Sequence, residues 1–323
     1  MMEKNSRDIT IERLLDAPVE LVWEAWTDPE KTARWWGPRG FTLTHHSKDL
    51  RPGGHWVYTM HGPDGTDYPN RTTYHEVEKL SRLVYDHGAN EEQGPLFRVT
   101  VLFHRKGPKT LMHMTMTLPT EEAAREARVF IKKAGGDSTW DRLAEFLVRE
   151  KDDQEIFVIN RSFETDLETM FDMWTRAEHL VQWSGPTNSS IEYLTANIRP
   201  GGSAFYRMTM GDLIMHGMVY YKEWQRPHLL VYTQNFCDAD GNIARHPLAP
   251  TWPESMRTTV TFTFEKEQQT RVTLTWSIEG KATAEEIRSF VEGRPGMTGG
   301  WTGSFDRLEE VLQERSPVTS RVS

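Results

Sequence analysis

The stretch LVWEAWTDPEKTARWWGP, from Leu21 to Pro38, lines up without a gap with TMFDMWTRAEHLVQWSGP, from Thr169 to Pro186. The turn sequence RPGG follows both stretches at the same offset, at Arg51–Gly54 in the first half and at Arg199–Gly202 in the second. Repeats in the same order and at the same offset are the signature of a duplicated unit. The fold of the whole chain can therefore be worked out from one half and checked against the other.

The matches continue to the end of each half. Leu83-Val84-Tyr85 aligns with Leu230-Val231-Tyr232, and DRLAEFL from Asp141 aligns with DRLEEVL from Asp306. A length of 323 residues agrees with about two domains of ordinary size. The sequence therefore predicts two copies of one domain, at residues 9–149 and 156–315, joined by the charged stretch 150–155.

The composition limits the classes of partner. The chain has a net charge of −9 and no run of Lys and Arg, which argues against nucleic acid as its main partner. Cys237 is the only cysteine, so neither an intramolecular disulfide nor a cysteine-based zinc cluster is possible. There is no apolar run of about 18 residues and no signal-peptide pattern. We therefore expect a cytoplasmic protein with no membrane partner.

Each half has the pattern of a strand, a helical region, several further strands and a terminal helix. Ile9–Glu12 and Phe157–Asn160 alternate as strands do, and Met112, Met114 and Met116 alternate with polar residues. Such alternation is typical of antiparallel strands with one covered face. The predicted fold class is α+β, with each domain a curved antiparallel sheet wrapped around a long C-terminal helix. This arrangement leaves a gap between sheet and helix.

Five motifs occur in a fixed order in the first half: WWGP at Trp35–Pro38, RPGG at Arg51–Gly54, GPDGTDYPNR at Gly62–Arg71, KTLMHMTMTLP ending at Pro119, and DRLAEFL from Asp141. Together they resemble the START-like helix-grip (SRPBCC) superfamily, and within it the branch named after the C-terminal domain of the heat-shock-protein ATPase activator. The stretch from Arg245 to Phe262 resembles that branch's long-loop variant. The resemblance implies a deep cavity in each half, but members of the superfamily range from carriers to cyclases, so it does not name the ligand.

The inward phase of the predicted strands supplies candidate cavity residues. Thioethers fit irregular shapes, and a buried phenol needs a hydrogen-bond partner that a ligand can provide. The predicted ligand-binding residues are Trp56, Tyr58, Met60, Tyr85, Phe103, Met112, Met114, Met116, Tyr206, Met208, His216, Tyr232, Phe262 and Trp276. Ordinary core packing accounts for the same residues, and the sequence leaves both interpretations open.

The candidates for proton transfer are His216, Tyr206 and Tyr232. His216 has no histidine counterpart in the first half, so it is the preferred candidate for an acid or base. His113 lies between the methionines on the opposite phase of its strand, so we expect it on the outer face of the sheet.

The histidines of the first half do not predict a metal site. Neighbours such as His45 and His46 point to opposite faces of a strand, and no carboxylate completes a ligand pattern with His55 or His61. We therefore expect neither a metal ion nor any other cofactor.

The two halves differ in one loop and one tryptophan. The second half has about 14 more residues between Tyr232 and Val260, and the insertion contains Trp252 and three prolines. Such a loop would lie over a cavity mouth or dock onto the other domain. Trp301 aligns with Gly136, so we expect the two cavities to differ in size and access.

Three functions remain open on the sequence alone. The first is a binder of a small hydrophobic molecule, and the second is a cavity enzyme of the cyclase, dehydratase or hydrolase type. The third is a chaperone ATPase regulator, which the name of the branch suggests. Pairing of the two domains within the chain is a further expectation.

Overall fold

The computed structural model describes residues 6–89, 93–133 and 138–315, and it divides between Gln154 and Glu155 into two compact units. Unit 1 contains β1 (Asp8–Leu15), α1 (Val19–Thr27), α2 (Pro29–Trp35), β2 (Thr42–Lys48), β3 (His55–His61), β4 (Asp67–Glu78), β5 (Arg82–Ala89), β6 (Phe97–Lys106), β7 (Lys109–Thr117), α3 (Glu121–Lys133) and α4 (Ser138–Asp152). Unit 2 contains β8 (Ile156–Phe163), α5 (Leu167–Thr175), α6 (Ala177–Trp183), β9 (Ser190–Ala196), β10 (Ser203–Met210), β11 (Leu213–Gln225), β12 (Leu229–Cys237), β13 (Ser255–Lys266), β14 (Gln269–Ile278), α7 (Ala284–Glu292) and α8 (Arg294–Arg315).

Each unit is built on one seven-stranded antiparallel sheet. The strand orders are β1-β7-β6-β5-β4-β3-β2 and β8-β14-β13-β12-β11-β10-β9, so the first strand of each unit pairs with the last and the others form a meander. Ile11 lies opposite Met114 in the closing pair of unit 1. The buried methionines of β7 alternate with part-exposed neighbours, as the sequence predicts. The α+β fold with a covered antiparallel sheet is confirmed.

The helical region after the first strand is a pair of short helices in each unit. Asp28 ends α1, and its carboxylate accepts hydrogen bonds from the backbone of Glu30 and Lys31, so it caps α2. The indole of Trp35 donates to the carbonyl of Ala25 at 2.9 Å and joins the two helices. Trp183 makes the equivalent bond to Met173 at 2.9 Å in unit 2. The first Trp of WWGP and the Trp of WSGP therefore have the same structural role.

The terminal helices lie against the inner face of their sheets through buried residues: Trp140, Leu143 and Leu147 in α4, and Phe305, Leu308 and Leu312 in α8. α4 continues to Asp152, so half of the predicted linker is helix. α8 begins at Arg294 and continues to Arg315, so it is longer than α4. A side chain at Gly303 would lie 2.2 Å from the hydroxyl of Thr187, so glycine permits this helix to approach the turn after α6.

Within the described ranges, no helix has both the length and the apolar character needed to cross a bilayer.

One arginine of each terminal helix connects the helix to the Gly-Pro turn. The guanidinium of Arg142 donates to the carbonyls of Gly37 at 2.8 Å, Pro38 at 2.9 Å and Phe41 at 3.1 Å. Arg307 donates to the carbonyls of the matching turn in unit 2, with a distance of 3.1 Å to Ser189. The DRL motif and the Gly-Pro motif recur together because they are the two halves of this contact.

The RPGG motif is explained by turn geometry. Gly53 has a φ of +80°, which glycine adopts at low cost. A Cβ added to Gly54 would lie 2.1 Å from the carbonyl oxygen of Asp49, and one added to Gly202 would lie 2.0 Å from that of Asn197. Any other residue at these positions would displace the backbone of the turn.

We predict that Arg142→Met lowers the free energy of unfolding of unit 1 by about 2–4 kcal/mol, because several buried carbonyls lose their donor. Urea unfolding followed by circular dichroism measures this change. Arg125→Met is the matched control, since the ion pair of Arg125 with Glu122 is exposed and its loss is expected to cost less than about 0.5 kcal/mol. Equal stability of the two variants would contradict the structural role of Arg142.

Candidate functional site

The interior of unit 1 is filled by stacked aromatic side chains at one end of the sheet. Trp56 and Tyr58 stack with ring centroids 4.0 Å apart, and Trp36 meets Trp56 edge-on at 5.4 Å. Tyr58 has no exposed surface. Burial raises the pKa of the Tyr58 phenol well above its usual value, so it stays protonated. This end of unit 1 is closed by its own core.

His87 is a half-buried imidazole at the edge of this aromatic cluster. Its ring stacks on Phe97 at 4.9 Å, and its Nδ1 lies 3.4 Å from the hydroxyl of Tyr58. Burial lowers the pKa of His87 to about 4, so the ring is neutral at pH 7. His87 is not among the predicted site residues, although its position two residues after Tyr85 places it on the inward phase of β5.

Unit 2 carries smaller residues at the equivalent positions. By the repeat alignment, Ser184 replaces Trp36, Ala204 replaces Trp56 and Gln234 replaces His87. Tyr206, the counterpart of Tyr58, is half-buried rather than sealed. A pocket of about 20 Å³ lies beside it, lined by Tyr206, Gln234, Asn235, Phe236, Pro253, Glu254 and Met256. This volume is enough for about one water molecule.

The phenols of unit 2 are hydrogen-bond donors at neutral pH. Burial raises the pKa of Tyr206 to about 12 and raises that of Tyr193 and Tyr232 further. The rings of Tyr193 and Tyr206 lie 6.2 Å apart in an edge-to-face contact. Two phenols therefore approach the pocket end of the sheet, and both offer a proton.

The long loop of unit 2 forms one wall of the pocket and packs on α7. Arg245 forms an ion pair with Glu286 at 2.5 Å, and the indole of Trp252 lies 5.9 Å from the ring of Phe290. The side chain of Asn235 donates to the carbonyl of Glu254 at 3.0 Å, which fixes the end of the loop beside the pocket. The sequence predicts that this loop lies either over a cavity mouth or against the other domain. In the structure it covers the pocket of its own unit.

Each unit stacks a tryptophan of its terminal helix on the tryptophan near the end of its first helix. Trp140 lies over Trp26 with centroids 6.1 Å apart and planes 16° apart. Trp301 lies over Trp174 at 5.9 Å and 14°. Trp140 aligns with Phe305 and not with Trp301, whose aligned residue, Gly136, lies outside the described residues. Different positions of the two helices therefore supply the same contact.

Thirteen of the predicted ligand-binding residues lie on the inner faces of the two sheets: Trp56, Tyr58, Met60, Tyr85, Phe103, Met112, Met114, Met116, Tyr206, Met208, Tyr232, Phe262 and Trp276. Their placement suits a cavity wall and a core equally, so ligand binding by them stays a prediction.

His113 lies on the outer face as predicted, with its Nδ1 3.5 Å from a carboxylate oxygen of Glu12.

The placement of His216 corrects the sequence analysis. Gly217 lies opposite Tyr206 and shares its inward phase, so His216 faces the other side of the sheet. There its ring stacks on Phe205 at 5.7 Å. His216 therefore does not line the cavity, and the prediction that it acts there as an acid or base is wrong.

The histidines of unit 1 are separated by the sheet. The indole of Trp56 donates to His45 at 3.2 Å on the inner face, whereas His46 contacts Thr59 and His61 contacts Asp67 on the outer face. Across the described ranges, no three His, Cys, Asp or Glu side chains converge as metal ligands.

Lys48 is a second interior residue that the sequence analysis missed. A β-bulge between His45 and Ser47 shifts the phase of β2, so Lys48 lies opposite Trp56 and turns inward. Its Nζ donates to the carbonyl of Trp26 at 3.0 Å and lies 4.3 Å from the centre of the Trp56 ring. No sequence pattern announces a bulge at this point, and simple alternation would place Lys48 outside.

The comparisons identify the family of the chain. The family model described as Activator of Hsp90 ATPase homolog 1-like protein matches twice, at residues 16–148 and 164–313. Because the two matches cover most of the sequence, the chain belongs to this family. The resemblance stated from the sequence is thereby confirmed. No curated protein matches the chain.

Solved structures match one unit at a time. A protein from Nitrosomonas europaea is 25% identical with a TM-score of 0.43, and the alignment covers 46% of this chain and 99% of that one. A protein from Arthrobacter aurescens is 26% identical with a TM-score of 0.42, covering 46% and 90%. An AHSA1-like protein from Aeromonas hydrophila is 25% identical with a TM-score of 0.36, covering 45% and 93%.

We predict that His87 makes unit 1 less stable in acid. The unfolded chain takes up a proton near pH 6.5, whereas the folded imidazole resists protonation until about pH 4, so stability is lost as pH falls through this window. The loss attributable to His87 is about 2 kcal/mol at pH 5. Urea unfolding at pH 7 and pH 5 measures it.

The matched variant is His87→Gln, because Gln234 holds the equivalent position in unit 2. We expect the difference in stability between pH 7 and pH 5 to shrink by about 2 kcal/mol in this variant. Wild type and variant losing the same stability over this range would rule out His87 as the cause.

Proposed function

We propose that this protein binds a small hydrophobic or aromatic molecule in unit 2, in the pocket between the inner face of the sheet and the long loop, and that it does so in the cytoplasm. The observation that carries the proposal is the contrast between two equivalent tyrosines. Tyr58 is sealed under Trp56, whereas Tyr206 borders a pocket because Ala204 stands where that tryptophan would be. Unit 1 has a completed core at this position, and unit 2 does not.

The pocket lining favours a ligand with an apolar body and one polar group. Phe236 and Met256 supply apolar surface, while the phenol of Tyr206 and the carboxamide of Gln234 supply hydrogen bonds. A protonated phenol donates to a carbonyl or hydroxyl oxygen, and the carboxamide both donates and accepts. An aromatic ketone or a phenol has this combination.

The pocket must enlarge before an aromatic ring can enter. It holds about 20 Å³, whereas a cavity that admits benzene is about 150 Å³. The long loop is the wall that can move without breaking the pairing of the strands. Its ion pair joins Arg245, whose side chain is 48% exposed, to Glu286, whose side chain is 13% exposed, so opening the pocket has to break a partly buried contact.

The protonation states favour binding over proton-transfer catalysis. Burial holds the pKa of Tyr206 at about 12 and raises that of Tyr232 further, so neither phenol is a base at neutral pH. His216, the preferred catalytic candidate, faces away from the pocket. The proposal requires no cofactor and no nucleic-acid or membrane partner. A chaperone regulator is the alternative suggested by the family description, and the pocket at Tyr206 favours a small ligand.

Tyr206→Phe tests the proposal with acetophenone as the probe. The variant keeps the ring and removes the hydroxyl, so we expect the dissociation constant for acetophenone to rise about 5- to 30-fold through the loss of one hydrogen bond. Tyr58→Phe, at the sealed equivalent position, is expected to leave the affinity unchanged. Isothermal titration of the full chain measures both, and native mass spectrometry of freshly purified protein reports any molecule already bound.

A second variant closes the pocket with the residue that unit 1 uses. Ser184→Trp places an indole where Trp36 stands in unit 1, and we expect it to abolish acetophenone binding while the protein stays folded by circular dichroism. Full binding by the Ser184→Trp protein, or an equal effect of Tyr206→Phe and Tyr58→Phe, would overturn the assignment to unit 2.

A further inference from the structure

The pocket of unit 2 has one charged residue in its lining. Glu254 is that residue, and it is also the exposed one among the seven described residues that surround the pocket. Its backbone carbonyl accepts a hydrogen bond from the side chain of Asn235 at 3.0 Å, which fixes the point from which its own side chain leaves the loop. Glu254 therefore stands where the pocket meets the solvent and brings a negative charge to that opening.

The cation nearest to Glu254 in effect, Arg245, is committed to another carboxylate. Its guanidinium pairs with Glu286 at 2.5 Å and donates to the carbonyl of Trp252 at 3.1 Å. The hydrogen bond to Glu286 is the main cause of the raised pKa of Arg245, whereas Glu254 contributes only through its more distant charge. Burial lowers the pKa of His246 on the same loop, so this ring is neutral at pH 7. Two carboxylates thus share one guanidinium, and the opening keeps an excess of negative charge.

The neutral polar groups of the lining suit a ligand that donates hydrogen bonds. The hydroxyl oxygen of Tyr206 and the carboxamide oxygen of Gln234 both accept N–H groups. The amide of Asn235 already donates to the loop, and the described lining contains no lysine, arginine or histidine. An ammonium group, which has three donors and no acceptor, therefore finds acceptors here, whereas a carboxylate finds no cation.

The apolar part of the lining suits an aromatic ring. Met256 is buried, and its thioether adapts to a flat partner. The ring of Phe236 is held edge-on by His246 with centroids 4.4 Å apart. Cations are also attracted to the faces of aromatic rings such as those of Phe236 and Tyr206. The lining thus combines apolar surface inside with an anionic opening.

We propose that the pocket of unit 2 selects protonated aromatic amines and that Glu254 is the residue that determines this specificity. The inference rests on the binding function proposed above and names the class of ligand for the same pocket. The ring of the amine lies inside, against Phe236 and Met256. Its ammonium group lies at the opening, beside the carboxylate of Glu254 and the oxygens of Tyr206 and Gln234.

Two probes of the same shape separate charge from size. Benzylamine is a cation at pH 7, and benzyl alcohol is its neutral counterpart with a hydroxyl in place of the amine. We expect the full chain to bind benzylamine about 3- to 10-fold more tightly than benzyl alcohol, because Glu254 is exposed and an exposed ion pair contributes modestly. Isothermal titration measures both affinities at low and at high salt, and the preference should shrink as salt screens the carboxylate.

A matched pair of variants locates the effect. Glu254 directly precedes β13 and Glu267 directly follows it, so the two carboxylates are separated by a strand of 12 residues. A strand of this length spans about 40 Å, which is well beyond the range of a screened charge. We expect Glu254→Gln to remove the preference for benzylamine and to leave the affinity for benzyl alcohol unchanged. Glu267→Gln changes the net charge by the same amount and should leave both affinities unchanged, which excludes a general attraction of cations to the acidic chain.

The outcomes separate this inference from the function on which it rests. Equal binding of benzylamine and benzyl alcohol, or an equal effect of Glu254→Gln and Glu267→Gln, would show that Glu254 is an ordinary surface residue and would overturn the inference. Acetophenone would still bind in that case, and the pocket in unit 2 would stand. If acetophenone, benzylamine and benzyl alcohol all fail to bind, the proposed function fails and the inference falls with it.

Discussion

The contact between a terminal-helix arginine and the carbonyls of the Gly-Pro turn is the constraint on which each unit depends. A guanidinium has five donors and no acceptor, so a largely buried one must lie where several carbonyls converge. Arg142 meets this condition at Gly37, Pro38 and Phe41, and burial lowers its pKa only to about 10, so it keeps its charge at neutral pH. The contact fixes the helix against the segment that leads into the sheet, and Arg307 repeats it. Sheet, short helices and terminal helix thereby become one frame.

The shared frame leaves the interior free to diverge. Replacing Trp36 and Trp56 with Ser184 and Ala204 removes two indoles from the end of the sheet without touching the arginine contact. Each indole would contribute several kcal/mol of packing energy, so their loss is a real cost in stability. Unit 1 keeps this energy and a closed core, whereas unit 2 gives it up and retains space beside Tyr206. The interior of unit 1 is therefore closed at this position, whereas that of unit 2 contains a small pocket.

Because inward and outward residues alternate regularly along most strands, the fold and the residues of the inner face could be predicted from the sequence. The wrong or missing predictions fall where that alternation is broken or hidden. Tyr58 and Tyr206 were placed correctly because their strands alternate cleanly. His216 was misplaced because the histidine was chosen for its absence from the first copy, and apolar residues on both faces of β11 hide its phase. The inward position of Lys48 could not be predicted, because a bulge in β2 reverses the phase of the residues after it. Register shifts depend on the partner strand, which one strand's sequence does not contain.

The length of the loop in unit 2 follows from what its core lacks. Without the two indoles, the end of the sheet near Tyr206 needs another cover, and the loop supplies it by bringing Trp252 against Phe290 and Pro253 against the pocket. A loop that covers the sheet is fixed by fewer buried contacts than core side chains are. It is held by a part-exposed ion pair and by side-chain contacts with α7, so we expect its displacement to cost less free energy than separation of the strands it shields. Unit 2 therefore covers this end of its sheet with a loop, where unit 1 fills the same place with two core tryptophans.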